Sequence, residues 1–208
     1  VALIKSISGI RGTIGGKPGE NLTPLDIVKF SAAFGTWIKE SVSHSKKIVI
    51  GRDGRISGEM VRNLVVSTLT GLGLDIHDLG LSTTPTVEMA VLGEKAAGGI
   101  IITASHNGKE WNALKLLNSA GEFISSENGL LILEKAAKDA YTFAPVDRLG
   151  TYSVDNSYLY KHVQTVVDYP LIDLPAIRGK HFKVVVDTIN STGALFIPPL
   201  LKALGIEN

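Results

Sequence analysis

Residues 103–115, TASHNGKEWNALK, gather several reactive side chains into one short stretch. Ser105 could act as a nucleophile or as the carrier of a phosphoryl group. His106, its neighbour, could shuttle a proton near neutral pH. Lys109 and Lys115 could hold an anion. The competing reading is a plain strand-end turn, because Ser, Asn and Gly favour turns for local backbone reasons. A serine-hydrolase dyad fits poorly: chain neighbours rarely place imidazole against hydroxyl, and no Gly-X-Ser-X-Gly elbow is present.

Two further polar loops could join this one. Residues 8–16, SGIRGTIGG, surround Arg11 with glycines that let a backbone approach a ligand closely. They match neither the phosphate loop, which ends in Gly-Lys-Ser/Thr, nor the dinucleotide fingerprint. Residues 51–58 read GRDGRISG. Arg52 and Arg55 could hold phosphate, or Asp53 could pair with them and brace the loop, which is the reading we favour from the residues alone.

The elements that must position these loops follow from apolar periodicity. Residues 98–102, GGIII, read as a buried strand that delivers Ser105 to its C-terminal end, where ligands gather in open α/β sheets. Residues 3–7, 48–50, 74–79 and 114–117 read as further strands. Thr23 and Pro24 open a helix with Ile27, Phe30, Phe34, Trp37 and Ile38 on one face. Ser57 is expected to cap a second helix, which Gly73 stops. Thr84-Pro85 starts a third, and Ser125 or Ser126 caps a fourth that runs to about Asp139. This alternation predicts an α/β layered domain over residues 1–145. Residues 146–156 look like a linker. Residues 157–208 then offer a helix, a strand at 182–186 and a helix at 195–204. Such a unit cannot cover both faces of its strand, so the chain is expected to be a fragment, or to be completed by another polypeptide.

Composition narrows the classes. The net charge is +1, with 21 basic and 20 acidic residues, which disfavours a nucleic-acid binder driven by bulk charge. There is no cysteine, which excludes disulfides and thiolate chemistry and suits a cytoplasmic location. No apolar run approaches the roughly 20 residues of a membrane span, and Lys5 and Arg11 interrupt the short apolar start, so no signal peptide is expected.

Four stretches in this order resemble one family, the α-D-phosphohexomutases: Ser8-Gly9-Ile10-Arg11-Gly12, the 51–57 loop, Thr83-Thr84-Pro85, and Thr103-Ala104-Ser105-His106-Asn107 with Asn112 and Lys115 downstream. The resemblance implies a three-layer α/β/α first domain with a mixed sheet, followed by the beginning of a second, similar α/β domain. It implies that Ser105 carries the phosphoryl group and that its phosphate contributes to a Mg2+ site whose other ligands lie beyond Asn208. Lys115 would be a general acid/base or charge stabiliser, His106 a proton carrier or hydrogen-bond partner, and Arg11 a contact to the phosphoserine or the transferring group. Asn107, Arg52 and Arg55 would bind substrate or phosphate. The expected partners are a phosphorylated hexose, a sugar 1,6-bisphosphate as intermediate or activator, and the remaining domains of a longer chain, with no nucleic acid and no membrane. The sequence departs from the family at Gly108, where proline is usual, and at Ser8 and Gly9. The Ser-Gly-Ile-Arg-Gly form leans towards glucosamine phosphate, with glucose or mannose phosphate next. A non-catalytic phosphosugar-binding module is the alternative, and the 208 residues alone are expected to be inactive.

Overall fold

The structure, a computed structural model, describes residues 3–6 and 9–206. Ile7 and Ser8, which fall in the expected first strand and glycine loop, lie outside the described residues. Seven strands form one mixed sheet in the order β1-β2-β6-β5-β3-β4-β7. They are β1 (Ile4–Ser6), β2 (Gly9–Thr13), β3 (Lys47–Arg52), β4 (Asp75–Leu81), β5 (Gly98–Ile102), β6 (Trp111–Leu117) and β7 (Tyr152–Val154). β3 is parallel to both β4 and β5, and β7 is parallel to β4, whereas β5–β6, β6–β2 and β2–β1 are antiparallel.

Side-chain alternation along the strands builds the two faces. Ile48 and Ile50, Ile100 and Ile102, and Leu114 and Leu116 point to one side, where they meet α1 (Pro24–Ser41), α2 (Gly58–Gly71) and α4 (Ser126–Ala137). Val49, Ile101 and Leu117 point to the other, against Val87, Ala90 and Val91 of α3 (Thr84–Gly93). The result is the layered domain that the alternation of elements implied, in the three-layer form that the resemblance implied. Phe34, fully buried in the centre of α1, and the isoleucines opposite it each stabilise by about 1.5–3 kcal/mol through burial. Caps fix where the helices begin. Thr23 and Asp26 form a reciprocal capping box at α1, Thr83 accepts from Thr86 N at α3, and Ser125 accepts from Asn128 N at α4.

Three expectations change. Residues 9–13 are a strand rather than a loop: Ile10 is buried and Arg11 pairs with Ala113 of β6. Gly9 has φ 121°, and a Cβ there would meet Leu114 O at 2.1 Å, so only glycine lets the two backbones lie this close. The stretch 146–156, expected as a linker, contributes β7 to the sheet edge. Gly150 permits this, since a Cβ there would fall 1.8 Å from Leu74 O. The expected strand at 182–186 does not form. It has no partner ladder among the described residues, and an extended segment without one leaves its backbone groups to water.

Three helices follow β7: α5 (Tyr158–Val167), α6 (Leu174–Gly179) and α7 (Gly193–Leu204). α7 packs on α5. α5 is moored to the first unit by Tyr158, whose hydroxyl donates to Glu94 Oε1 at 2.6 Å, and by His162 Nδ1, which shares a hydrogen bond with Thr86 Oγ1 at 2.7 Å. Asp155 caps this mooring: its carboxylate accepts from Ser157 N and Lys161 Nζ and lies 3.4 Å from His77 Nε2. Burial works to raise the Asp155 pKa, but the Ser157 hydrogen bonds and the Lys161 charge outweigh it and hold it at about 2, below the ordinary 3.8. A depressed carboxylate pKa stabilises the fold above the unfolded value and loses that contribution as pH falls through the folded one. The melting temperature should therefore fall between about pH 4 and pH 2, and Asp155→Asn should flatten that part of the profile. A thermal-melt series across this range checks it, and identical slopes in the two proteins would contradict the assignment.

Candidate functional site

The chain passes from β3 through α2 to β4, then from β4 through α3 back to β5 on the other side of β3. The loops that leave β3 and β5 therefore emerge side by side at the point where the sheet order reverses, the usual place for a ligand crevice. Asp53 N donates to Ile102 O at 3.1 Å and ties the two loop bases together.

Ser105 sits at the tip of this arrangement, exposed, with φ 54°. That left-handed conformation is uncommon for a residue bearing a Cβ. Several hydrogen bonds maintain it. Ser105 N donates to Thr103 Oγ1 at 3.2 Å, and the Thr103 hydroxyl donates to Asp53 Oδ2 at 2.7 Å. Asp53 Oδ2 also accepts from Arg55 Nε at 3.1 Å, and its Oδ1 accepts from Arg55 N. Arg55 then reaches across to the β5–β6 loop. Its Nη2 donates to Ser105 O and Asn107 O, both at 2.8 Å, and its Nη1 donates to Gly108 O at 2.7 Å and Trp111 O at 3.0 Å.

This geometry corrects the role expected for Arg55. A guanidinium has five N–H groups, and all five are engaged by Asp53 and by loop carbonyls, which leaves no donor for a substrate phosphate. The alternative reading, an Arg–Asp brace, is what the structure contains. Arg52 differs. Its Nη1 donates to Asp53 O at 3.2 Å and its guanidinium makes no other hydrogen bond among the described residues, so most of its side-chain donors are available beside the start of α2.

Arg11 projects from β2 towards the same loop. Its Nη1 donates to Asn107 Oδ1 at 3.2 Å, and its guanidinium carbon lies 5.9 Å from the Trp111 ring centre, within cation–π range. Arg11 and Asn107 are thus brought together, 96 positions apart in the chain. His106 and Lys109 are exposed. Lys115 stands on the α3 face of β6, paired across the sheet with Ile101, and its ammonium lies 5.6 Å from the Phe123 ring centre. It makes no hydrogen bond to the serine loop among the described residues.

Ser57 does not cap α2 as expected. Its hydroxyl accepts from Asn112 Nδ2 at 2.9 Å instead, while Asn112 Oδ1 accepts from Ala113 N. Asn112 is fully buried, and this bond secures the return strand to the α2 loop. Thr103 and Asp53 are the residues whose place in the serine-loop network sequence reasoning missed. The signal was there in part, since a Thr two residues before a left-handed Ser can accept its N–H.

The site offers no oxygen cage for Mg2+. Both Asp53 oxygens are occupied by Arg55 and Thr103. The one His/Asp/Glu cluster of ligand-like spacing among the described residues, His77, Glu94 and Asp155, lies at the α5 mooring, where Lys47 and Lys161 already balance the carboxylates. Of the expected donors, only an oxygen on Ser105 is available.

Residues 3–142 match the family model described as phosphoglucomutase/phosphomannomutase, alpha/beta/alpha domain I. The chain belongs to this family. Among its relatives are a protein of Thermococcus kodakarensis named phosphoglucomutase/phosphomannomutase, 34% identical over 198 residues, and one of Sulfurisphaera tokodaii named phosphoglucosamine/phosphogalactosamine mutase, 30% identical over 200 residues. The alignments span 94% and 96% of this chain but only 43% and 42% of those proteins. A Helicobacter pylori phosphoglucosamine mutase is 32% identical over 206 residues, or 95% of this chain and 45% of that protein. The chain thus spans less than half the length of these relatives. A crystal structure of a phosphoglucomutase/phosphomannomutase family protein from Burkholderia thailandensis shares the fold, with TM-score 0.76 and 22% identity over 98% of this chain and 42% of that one.

Proposed function

We propose that these residues are the N-terminal part of a phosphohexomutase that interconverts sugar 6-phosphates and sugar 1-phosphates, with Ser105 as the phosphoryl carrier. The observation that supports this most is the presentation of Ser105. It is exposed and held in a left-handed turn at the sheet's switch point, in a loop that Arg11 also reaches at Asn107, whereas a structural turn serine needs no such bracing. Phosphoserine carries about −1.5 to −2 charges at neutral pH, and Arg11, Arg52 and Lys109 supply cations on the elements around the loop, with Lys115 on the adjoining strand. Phosphoryl transfer depends chiefly on positioning and on cancelling spread negative charge.

In the proposed reaction, a free hydroxyl of the hexose monophosphate attacks the phosphorus of phosphoserine 105. The bond from Ser105 Oγ to phosphorus breaks as the bond from sugar oxygen to phosphorus forms, giving a sugar 1,6-bisphosphate and free serine. The hydroxyl proton passes to a base, and Ser105 Oγ takes one up; Lys115 and His106 are the groups to which the resemblance gives these roles. The bisphosphate reorients and returns its other phosphate to Ser105. Mg2+, when bound, would neutralise charge on the transferring group, with ligands other than Ser105 supplied from outside these residues. The glucosamine phosphates are the favoured substrates, followed by glucose and mannose phosphates. The phosphoglucosamine mutases among the relatives support that order.

The test compares the full-length polypeptide with the 208-residue chain on glucosamine, glucose and mannose 6-phosphates. Full-length turnover, fastest on glucosamine phosphate and absent from the 208-residue chain, is expected. Comparable turnover by the 208 residues alone would contradict the division of labour proposed here, and none from either would leave a phosphosugar-binding module as the better reading.

A further inference from the structure

We infer that Arg55 is a positioning residue for the phosphoryl carrier: its saturated guanidinium sets the backbone of residues 105–111 and thereby aims Ser105 Oγ. The role in turnover rests on the mutase reading; the control of loop geometry does not. Four carbonyls, those of Ser105, Asn107, Gly108 and Trp111, converge on one side chain. Backbone carbonyls of one short loop repel when they converge, so this arrangement needs a cation at its centre. The cation must also have enough donors in a fixed plane. Arginine meets both needs, whereas an ammonium offers three donors and no planar fork.

The fork is itself oriented. Asp53 holds Nε, and Thr103, which also accepts from Ser105 N, holds Asp53. The backbone of Ser105 is thus gripped on both sides of its Cα, N–H by Thr103 and C=O by Arg55, and its φ of 54° is the outcome. The loop's other restraints are few, the Arg11–Asn107 contact and the turn bonds Asn107 N to Ala104 O and Trp111 N to Gly108 O, and Gly108 restricts the backbone least of all residues. The grip has a second consequence. In a trans peptide the N–H points opposite to the preceding C=O. Turning the carbonyls of residues 105, 107 and 108 towards Arg55 therefore turns the N–H groups of His106, Gly108 and Lys109 away from it. None of those three donates to another described residue, and they are left for solvent or for an anion on the serine.

The test uses the full-length protein with Arg55→Lys and Arg55→Ala. Misplacing a reacting group by about 1 Å can cost roughly 10²-fold in rate. We expect kcat to fall by about that factor in Arg55→Ala, less in Arg55→Lys, with KM for the sugar phosphate within about 2-fold of wild type. Added guanidinium ion at low millimolar concentration should restore part of the kcat of Arg55→Ala, while ammonium should not. A KM rise with kcat preserved would make Arg55 a substrate ligand and overturn the inference. Loss of kcat in step with loss of melting temperature, without rescue, would make it merely structural. Amide exchange supplies a readout independent of turnover. Faster exchange confined to residues 103–111 in Arg55→Lys supports the inference even if no hexose phosphate proves to be a substrate. Unchanged exchange there overturns it whether or not the protein is a mutase.

Discussion

Full-length protein carrying Ser105→Ala should lose sugar-phosphate interconversion almost completely, with kcat lower by at least about 10³-fold. Such a loss is large because, in the proposed reaction, the hydroxyl oxygen is the atom that would bear the phosphoryl group between half-reactions, and no neighbour replaces it. His106 is adjacent but exposed, and the Asn107 amide is held by Arg11. The fold should be unaffected. Ser105 is exposed, its peptide N–H and C=O make the contacts to Thr103 and Arg55, and no hydrogen bond of its hydroxyl is needed for either. Steady-state kinetics beside a thermal melt check the pair of expectations. A variant with wild-type kcat would remove Ser105 from the reaction.

The next largest effect is expected at Lys115. Lys115→Met should reduce kcat by about 10²–10³-fold, the usual range for losing a general acid/base or a charge that stabilises the transition state. Methionine keeps most of the aliphatic stem on the half-buried α3 face of β6, so the melting temperature should change little. Lys115→Arg separates two explanations. Arginine retains the charge but cannot give up a proton in this pH range. Substantial recovery in Lys115→Arg would assign the lysine to electrostatics, and continued loss would assign it to proton transfer. Glu88 on α3 bears on this choice. Burial raises its pKa, and the Lys115 charge opposes that shift. A carboxylate that senses the lysine gives the ammonium a counter-charge on the same face. An undiminished kcat in Lys115→Met would exclude both roles.

Much of the fold was legible because its signals are local. The Thr23-Pro24 start of α1, the Gly73 stop after α2 and the apolar run of β5 each depend on a few adjacent residues. What was not legible depends on partners distant in sequence. β7 has three exposed residues, too few for the alternation of Tyr152, Ser153 and Val154 to stand out, and it is a strand because β4 offers it an edge. The converse holds at 182–186, where β-branched residues form no strand for lack of a ladder. β6 begins at Trp111 rather than near Leu114 because Asn112, polar and so unlike a buried strand residue, is satisfied by Ser57.

The same division runs through the site. Residue types and order identified Ser105, Arg11 and the arginine loop, and the structure brings these elements to one edge. The residues alone favoured an Arg–Asp brace and the resemblance a phosphate contact; the pairing with Asp53 was legible, but the four carbonyls that fill the Arg55 guanidinium were not, because no sequence pattern says which way neighbouring carbonyls face. Thr103 was overlooked, and Asp53 was read only as a brace for its own loop, for a related reason. They hold the residue that holds Ser105, and neither has unusual chemistry of its own.

The central claim is that Ser105 carries the phosphoryl group, and intact mass measures it most directly. The full-length protein would be treated with phosphatase, cleared of it, incubated with a hexose 1,6-bisphosphate and weighed, with the Ser105→Ala variant alongside. A phosphate gained by the wild type, mapped to Ser105 and absent from the variant, is the predicted result. Equal labelling of both proteins, or turnover by a wild type that never acquires phosphate at Ser105, would contradict it.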